Sequence, residues 1–222
     1  PYIRHDGKSN PELERYDYRK ITELETAVST LGMLYYITEG DKYAKRASEI
    51  LREWFLDPVT GMNPNMTYAQ YVPGMSYIRG TGILDGRAIV YALNGAKLIE
   101  GSKYWTINDK KALQEWVKIF LYWMQNSTQG LMEQNAQNNH GLWYDFIRMG
   151  MSLYIDDPSY VKLIVETSLY KRLDAQQEIN GSFPQELART LGLSYTTFAL
   201  DAFYECSEIA LKAGIDMWNH TS

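Results

Sequence analysis

Two short stretches of this chain gather residue types that could move protons. The first, Gln134 to Asp145, reads QNAQNNHGLWYD and places several amides and one imidazole just ahead of an aromatic pair. The second, Gly181 to Leu200, reads GSFPQELARTLGLSYTTFAL and carries Arg189 and Tyr195 on either side of a glycine. Asn139 can donate hydrogen bonds, His140 can donate or accept according to its protonation, and Arg189 holds a permanent positive charge. A phenol has a pKa of about 10 when free, and a guanidinium beside it favours the phenolate, the form that can act as a base. Both stretches also have a plainer reading. Asn138 or Asn139 caps a helix while His140 packs on the surface, and Tyr195 is one of 18 tyrosines and faces a core.

The elements that must position these residues are helices. Apolar residues recur at helical spacing through most of the chain, and no stretch alternates as a strand does. Lys20 to Thr38 and Asp41 to Phe55 form a first hairpin, with Gly40 ending one helix and Asp41 capping the next. Asp85 to Glu100 pairs with Asn108 to Gln125, capped by Asn108 or Asp109. Asn139 to Tyr154 pairs with Pro158 to Leu173, where Pro158 suits a first helical turn, and a seventh helix runs from about Leu193 to Ala213. Pairs of similar length joined by short turns, without a repeat consensus, predict an all-α fold, an (α/α) toroid or barrel of antiparallel hairpins incomplete at both ends. The whole of residues 1–222 reads as one domain and as part of a longer chain. Two segments break the rhythm, Asp57 to Leu84 and Asp174 to Arg189, and long ordered loops of this kind tend to carry function.

Composition narrows the ligand classes. A 45% hydrophobic content supplies a core, and the formal net charge of -5, with no run of basic residues, argues against nucleic acid or an anionic membrane surface as partner. No apolar run approaches the roughly 18 residues of a spanning helix. The single cysteine, Cys206, lies in a helical setting and reads as a buried apolar residue. Sequons at Asn65, Asn126, Asn180 and Asn219 suggest a glycosylated protein that is secreted, or periplasmic in a bacterium. His5, His140 and His220 are too scattered for a metal site, and no zinc, P-loop or dinucleotide motif occurs, so neither metal nor cofactor is expected.

Taken together, NNHGLWYD and, about fifty residues later, PQELART followed by a tyrosine resemble the alginate lyase superfamily, including polysaccharide lyase families 5, 17 and 38. YIRHDGKSNPE resembles that superfamily's R-D-G-x-x-N-P-E stretch, and NPNMTYAQYVPG with RGTGILDGR resembles its N-P-N-x-x-Y-x-Q and G-R-G-x-G-I-x-D loop. The chain departs at Ile78, where the pattern has glycine before Arg79. The resemblance implies β-elimination on an acidic polysaccharide of 4-linked uronic acids, mannuronate-rich alginate or glucuronan. The proton on carbon 5 is weakly acidic because a carboxylate adjoins it, so that carboxylate must first be neutralised. By the same resemblance Asn139, His140 and Arg189 form the neutralising group, the electrostatic role usually worth most, and Tyr195 is the base. On β-D-mannuronate or β-D-glucuronate the proton and the leaving oxygen share a face, so Tyr195 can also serve as acid. On α-L-guluronate they do not, and His140 becomes the base.

Tyr68, Gln70, Arg79, Trp143 and Tyr144 are candidates for substrate binding, the aromatics by stacking on sugar rings and Arg79 by holding a neighbouring carboxylate; Tyr77 is a further stacking candidate. Two readings from other classes compete. Asp145 and Glu186 could form the carboxylate pair of a glycoside hydrolase on a helical toroid, although Asp145 also suits an orienting role and Glu186 a cap or a partner for Arg189. The chain could also bind an acidic polysaccharide without cutting it.

Overall fold

The computed structural model describes residues 5–8, 10–72, 74 and 79–219. Among these the chain forms ten α-helices and no strand. They are α1 (Tyr18–Thr38), α2 (Asp41–Leu51), α3 (Arg87–Leu98), α4 (Ile107–Asn126), α5 (Thr128–Gln134), α6 (Asn139–Tyr154), α7 (Pro158–Ile164), α8 (Tyr170–Gln176), α9 (Pro184–Leu187) and α10 (Gly192–Lys212). Helix α1 packs on α3, α3 on α6, and α6 on α10, which makes one row. Helices α2, α4 and α7 lie behind that row, as the outer layer of an (α/α) toroid does.

Helix α6 is the hub. Twelve of its residues, among them Leu142, Trp143, Tyr144, Phe146 and Met149, are buried on every side of the helix, the pattern of a helix with neighbours all round. Its contacts reach α3, α4, α5, α7 and α10. A 3-10 turn from Thr81–Gly86 leads into α3 and packs against both α5 and α6. The starts of α3 and α6 therefore meet, and the loop before α10 joins them through a bond described below.

The structure revises several local expectations. The first hairpin turns at Glu39, which takes the left-handed conformation at φ 53°, while Gly40 is extended and Asp41 is simply the first helical residue with no side-chain cap. Helix α4 is capped by Thr106, not Asn108 or Asp109. Thr106 and Asp109, three residues later, form a reciprocal capping box. Its position differs too: α4 rests on α5, on the π-helical turn Arg52–Leu56 that closes α2, and on α6. Aromatic packing draws it there, with Phe55 edge-on to Trp116 at 4.8 Å and Trp116 stacked on Phe120 at 5.3 Å. Asp109 also accepts two bonds from Arg52, at 2.8 and 2.7 Å. The third hairpin is entered as expected, Asp157 capping and Pro158 in the first turn, but its second arm passes through a π-helical segment, Val165–Leu169, before α8. Helix α9 falls in a stretch expected to be loop, and α5 in one to which no element was assigned. Cys206 is buried, as its setting predicts.

Candidate active site

The first turn of α6 builds one half of the site. Asn138 is its cap, the side-chain oxygen accepting from the His140 amide at 3.3 Å. Asn139 follows and is only 1% exposed. Its backbone N–H donates to Glu186 Oε1 at 2.6 Å, and its side-chain Nδ2 lies 2.8 and 2.9 Å from the two Glu186 oxygens. Glu186, on α9, is itself 1% exposed, and a buried carboxylate must collect donors. The sequence assigns the Asn139 amide to a substrate carboxylate; in the structure that nitrogen is committed to Glu186. His140 is half-buried, with Nδ1 2.6 Å from Glu133 Oε2 on α5.

Below this turn the rest of the NNHGLWYD stretch is scaffold. Asp145 is fully buried and accepts from Arg172 Nε at 2.7 Å, Ser168 Oγ at 2.7 Å and Arg148 Nη1 at 3.3 Å. Arg172 also donates to the carbonyls of Gln134 and Ala136, at 2.6 and 3.0 Å, which pins the segment leading into α6. Gly141 makes room for this: a Cβ there would sit 2.4 Å from both the Ala136 carbonyl and Arg172 Nη1.

Arg189 and Tyr195 build the other half. Tyr195 lies in the first turn of α10, and the Arg189 guanidinium centre stands 3.8 Å from the centroid of its ring. Asp6 holds the guanidinium in place. Arg189 Nε donates to both Asp6 oxygens, at 3.0 and 3.1 Å, and Nη2 closes a further bond. Thr190 adds its hydroxyl at 2.8 Å. These bonds, Arg189 first and then Thr190, hold the Asp6 carboxyl well below the usual carboxylate range. The guanidinium pKa is correspondingly raised, chiefly by the Asp6 bond, with Tyr195 and Glu186 adding to it. Glu186 therefore joins the two halves, bonded to Asn139 and close enough to Arg189 to act on its charge.

The loop between α2 and α3 lines a separate cleft of about 1000 Å³, together with the start of α1. Tyr68 and Gln70 both face it. Tyr68 is 72% exposed and has a ring free to stack, edge-on to Tyr71 at 6.1 Å. Gln70, at φ 52°, donates to Asp85 at 3.0 Å. Burial pushes the Asp85 carboxyl up to about 6, against the opposing pull of Gln70, Arg87 and His140. Asp85 thus connects this cleft to His140, although the four proposed catalytic residues are not among the residues that line it. Arg79 is half-buried and has no ion pair among the described residues. Tyr77 and Ile78 lie outside the described residues.

Two stacking candidates are corrected. Tyr144 is 1% exposed and donates its hydroxyl to the Met124 carbonyl at 3.0 Å. Trp143 is 3% exposed, tilted on Phe198 at 4.9 Å and edge-on to Phe146 at 5.2 Å, with Arg87 lying against both Trp143 and Phe198. Neither ring has a face left for a sugar, because α6 is enclosed by its neighbours. The hydrolase pair fails on the same ground, since Asp145 and Glu186 are buried and bonded to Arg172 and Asn139. Sequence reasoning missed Glu133 and Asp85 as neighbours of His140. Asp6, within HDGKSNPE, carries no local sign of its bond to Arg189. Among the described residues no group of three His, Cys, Asp or Glu side chains is placed to hold a metal ion, and no helix is long and apolar enough to cross a membrane.

The sequence model of the family Alginate lyase matches residues 1–222. A crystal structure of an alginate lyase from Bacteroides ovatus superposes with a TM-score of 0.96 at 41% sequence identity, covering 100% of this chain and 59% of that one. A comparison with curated proteins finds no match. The chain belongs to the alginate lyase family, and it spans 59% of the length of the structure it resembles.

Proposed function

We propose that this protein is a polysaccharide lyase that cuts a 4-linked uronic-acid polymer, mannuronate-rich alginate or glucuronan, by β-elimination. The observation that carries the reading is the Arg189 guanidinium 3.8 Å over the Tyr195 ring, joined through Glu186 to the Asn139–His140 helix start. The uronate carboxylate lies beside the start of α6, between His140 and Arg189, where a positive charge can meet it. His140 and Arg189 neutralise it, while Asn139, held by Glu186, fixes the position of that turn. The Tyr195 phenolate takes the carbon 5 proton, the released electron pair forms the bond between carbons 4 and 5, and the oxygen on carbon 4 leaves with the proton returned by Tyr195.

Tyr68 and Gln70 suit the flanking sugars, and Arg79, unpaired by any described carboxylate, suits a neighbouring uronate carboxylate. A secreted or periplasmic location fits a polymer substrate and the exposed sequons Asn126, Asn180 and Asn219. The test is a panel of mannuronan, guluronan and glucuronan scored for near-ultraviolet absorbance. Elimination yields a 4,5-unsaturated sugar that absorbs, hydrolysis yields reducing ends alone, and a binding protein yields neither. New reducing ends without absorbance on every polymer would overturn the lyase reading.

A further inference from the structure

We infer that Glu133 is a positioning residue for His140, one that sets which imidazole nitrogen meets the substrate; this rests on the lyase reading of the site. Glu133 is 4% exposed, and its Oε2 lies 2.6 Å from His140 Nδ1. A carboxylate only accepts, so Nδ1 carries the hydrogen. Nε2, on the far side of the ring from Glu133, is then the atom left for chemistry, on a side chain that keeps 21% of its surface open. In the neutral imidazole it is a bare lone pair. In the imidazolium it is a donor to a uronate carboxylate, and Glu133 offsets the added charge. One buried carboxylate thereby makes His140 usable both as a neutralising donor and as a base.

Glu133 is held firmly enough for this task. It sits near the end of α5, and the motif glycine Gly80 packs directly on its stem: a Cβ at Gly80 would stand 3.3 Å from Glu133 Cγ, 3.1 Å from Met132 Cβ and 2.7 Å from the Gln129 carbonyl. The RGTGILDG loop therefore packs on the side chain whose carboxylate meets the NNHG turn. Other charges face His140 as well. Asp85 acts on it from the 3-10 turn before α3, while Glu186 and Arg172 stand around the start of α6. Among the described residues the imidazole bonds to Glu133 and to none of these, so the tautomer falls to Glu133.

The experiment reads the tautomer directly, by ¹⁵N NMR of the imidazole in protein whose other two histidines, His5 and His220, are replaced by Gln. The neutral ring should be protonated at Nδ1 and bare at Nε2. Glu133→Gln should abolish that preference and lower kcat about 10-fold or more with a smaller change in KM, short of the roughly 100-fold at which the loss of an acid–base group itself begins. Glu133→Asp should keep the ring protonated at Nδ1. A wild-type ring protonated at Nε2 would overturn the inference. So would Glu133→Gln with an unmoved tautomer, whatever its kcat, for that marks a merely structural role. If Glu133→Gln does not fold, the tautomers of the wild type and of Glu133→Asp decide. Absence of unsaturated product in the wild type would sink the lyase reading alone, because the tautomer is measured without substrate.

Discussion

The two halves of the site are held by different physics. The Asn139–His140 half is set by carboxylates that are almost wholly buried, Glu186, Glu133 and Asp145, each bonded within the α6 framework. The Arg189–Tyr195 half is set near the surface by Asp6, a partly exposed residue that approaches from the far end of the sequence. Buried ion pairs are costly to break because the partner is left uncompensated, whereas exposed pairs contribute little to stability and serve mainly to orient. The same kind of bond, carboxylate to guanidinium, is therefore structural in one half and geometric in the other.

Breaking the buried half should give the largest effect. Asp145→Ala leaves Arg172 and Arg148 without their carboxylate and should cost about 3–5 kcal/mol, read as a drop in urea-unfolding free energy. An unchanged midpoint would mean that this network does not carry the helix start. In the other half Tyr195→Phe should leave unfolding nearly unchanged and lower turnover by at least about 100-fold with binding preserved. Near-normal turnover on the best polymer would remove Tyr195 from its role. Asp6→Asn sharpens the contrast: turnover should fall, by up to the roughly 100-fold that a misplaced catalytic group can cost, while the thermal midpoint hardly moves. Equal losses of stability in Asp6→Asn and Asp145→Ala would erase the distinction.

The smallest effect concerns Asp85, between the cleft and His140. Its carboxyl is raised to about 6 by burial, above the roughly 3.9 of an unfolded chain. The protonated form is thus favoured by folding; this contribution is complete below about pH 4 and is lost as pH rises through about 6. Asp85→Asn mimics that form, so it should raise the thermal midpoint at pH 7 by a few degrees at most and leave it unchanged at pH 4. A gain that persists at pH 4 would contradict the assignment to charge burial.

Much of this was legible in residue spacing. The seven long helices follow from apolar periodicity, and the resemblance brought Asn139, His140, Arg189 and Tyr195 to attention together. What spacing could not convey is which side of α6 is covered. A helix enclosed on all sides has no polar face to betray its burial, so Trp143 and Tyr144 read as stacking rings when they are core. The partners of the site were hidden for a related reason. Glu133 lies seven residues from His140 on a different helix, and Asp6 meets Arg189 across 183 positions. Nothing local distinguishes such carboxylates from solvated ones. The caps were misplaced by a residue or two because Thr106 and Glu39 take backbone roles that several neighbours could have filled.

That span of 183 positions has a bearing on the order of folding. Helical contacts within α1 to α10 form between near neighbours, while the Asp6 bond must close almost the entire chain into a loop, and its entropic cost is met only once the intervening helices are packed. The guanidinium over Tyr195 is thus among the last features to be assembled. On the proposed reading of Tyr195 as the base, a partly folded chain carries the residues of the site without their geometry, so eliminative power is tied to completion of the fold and not to the presence of those residues.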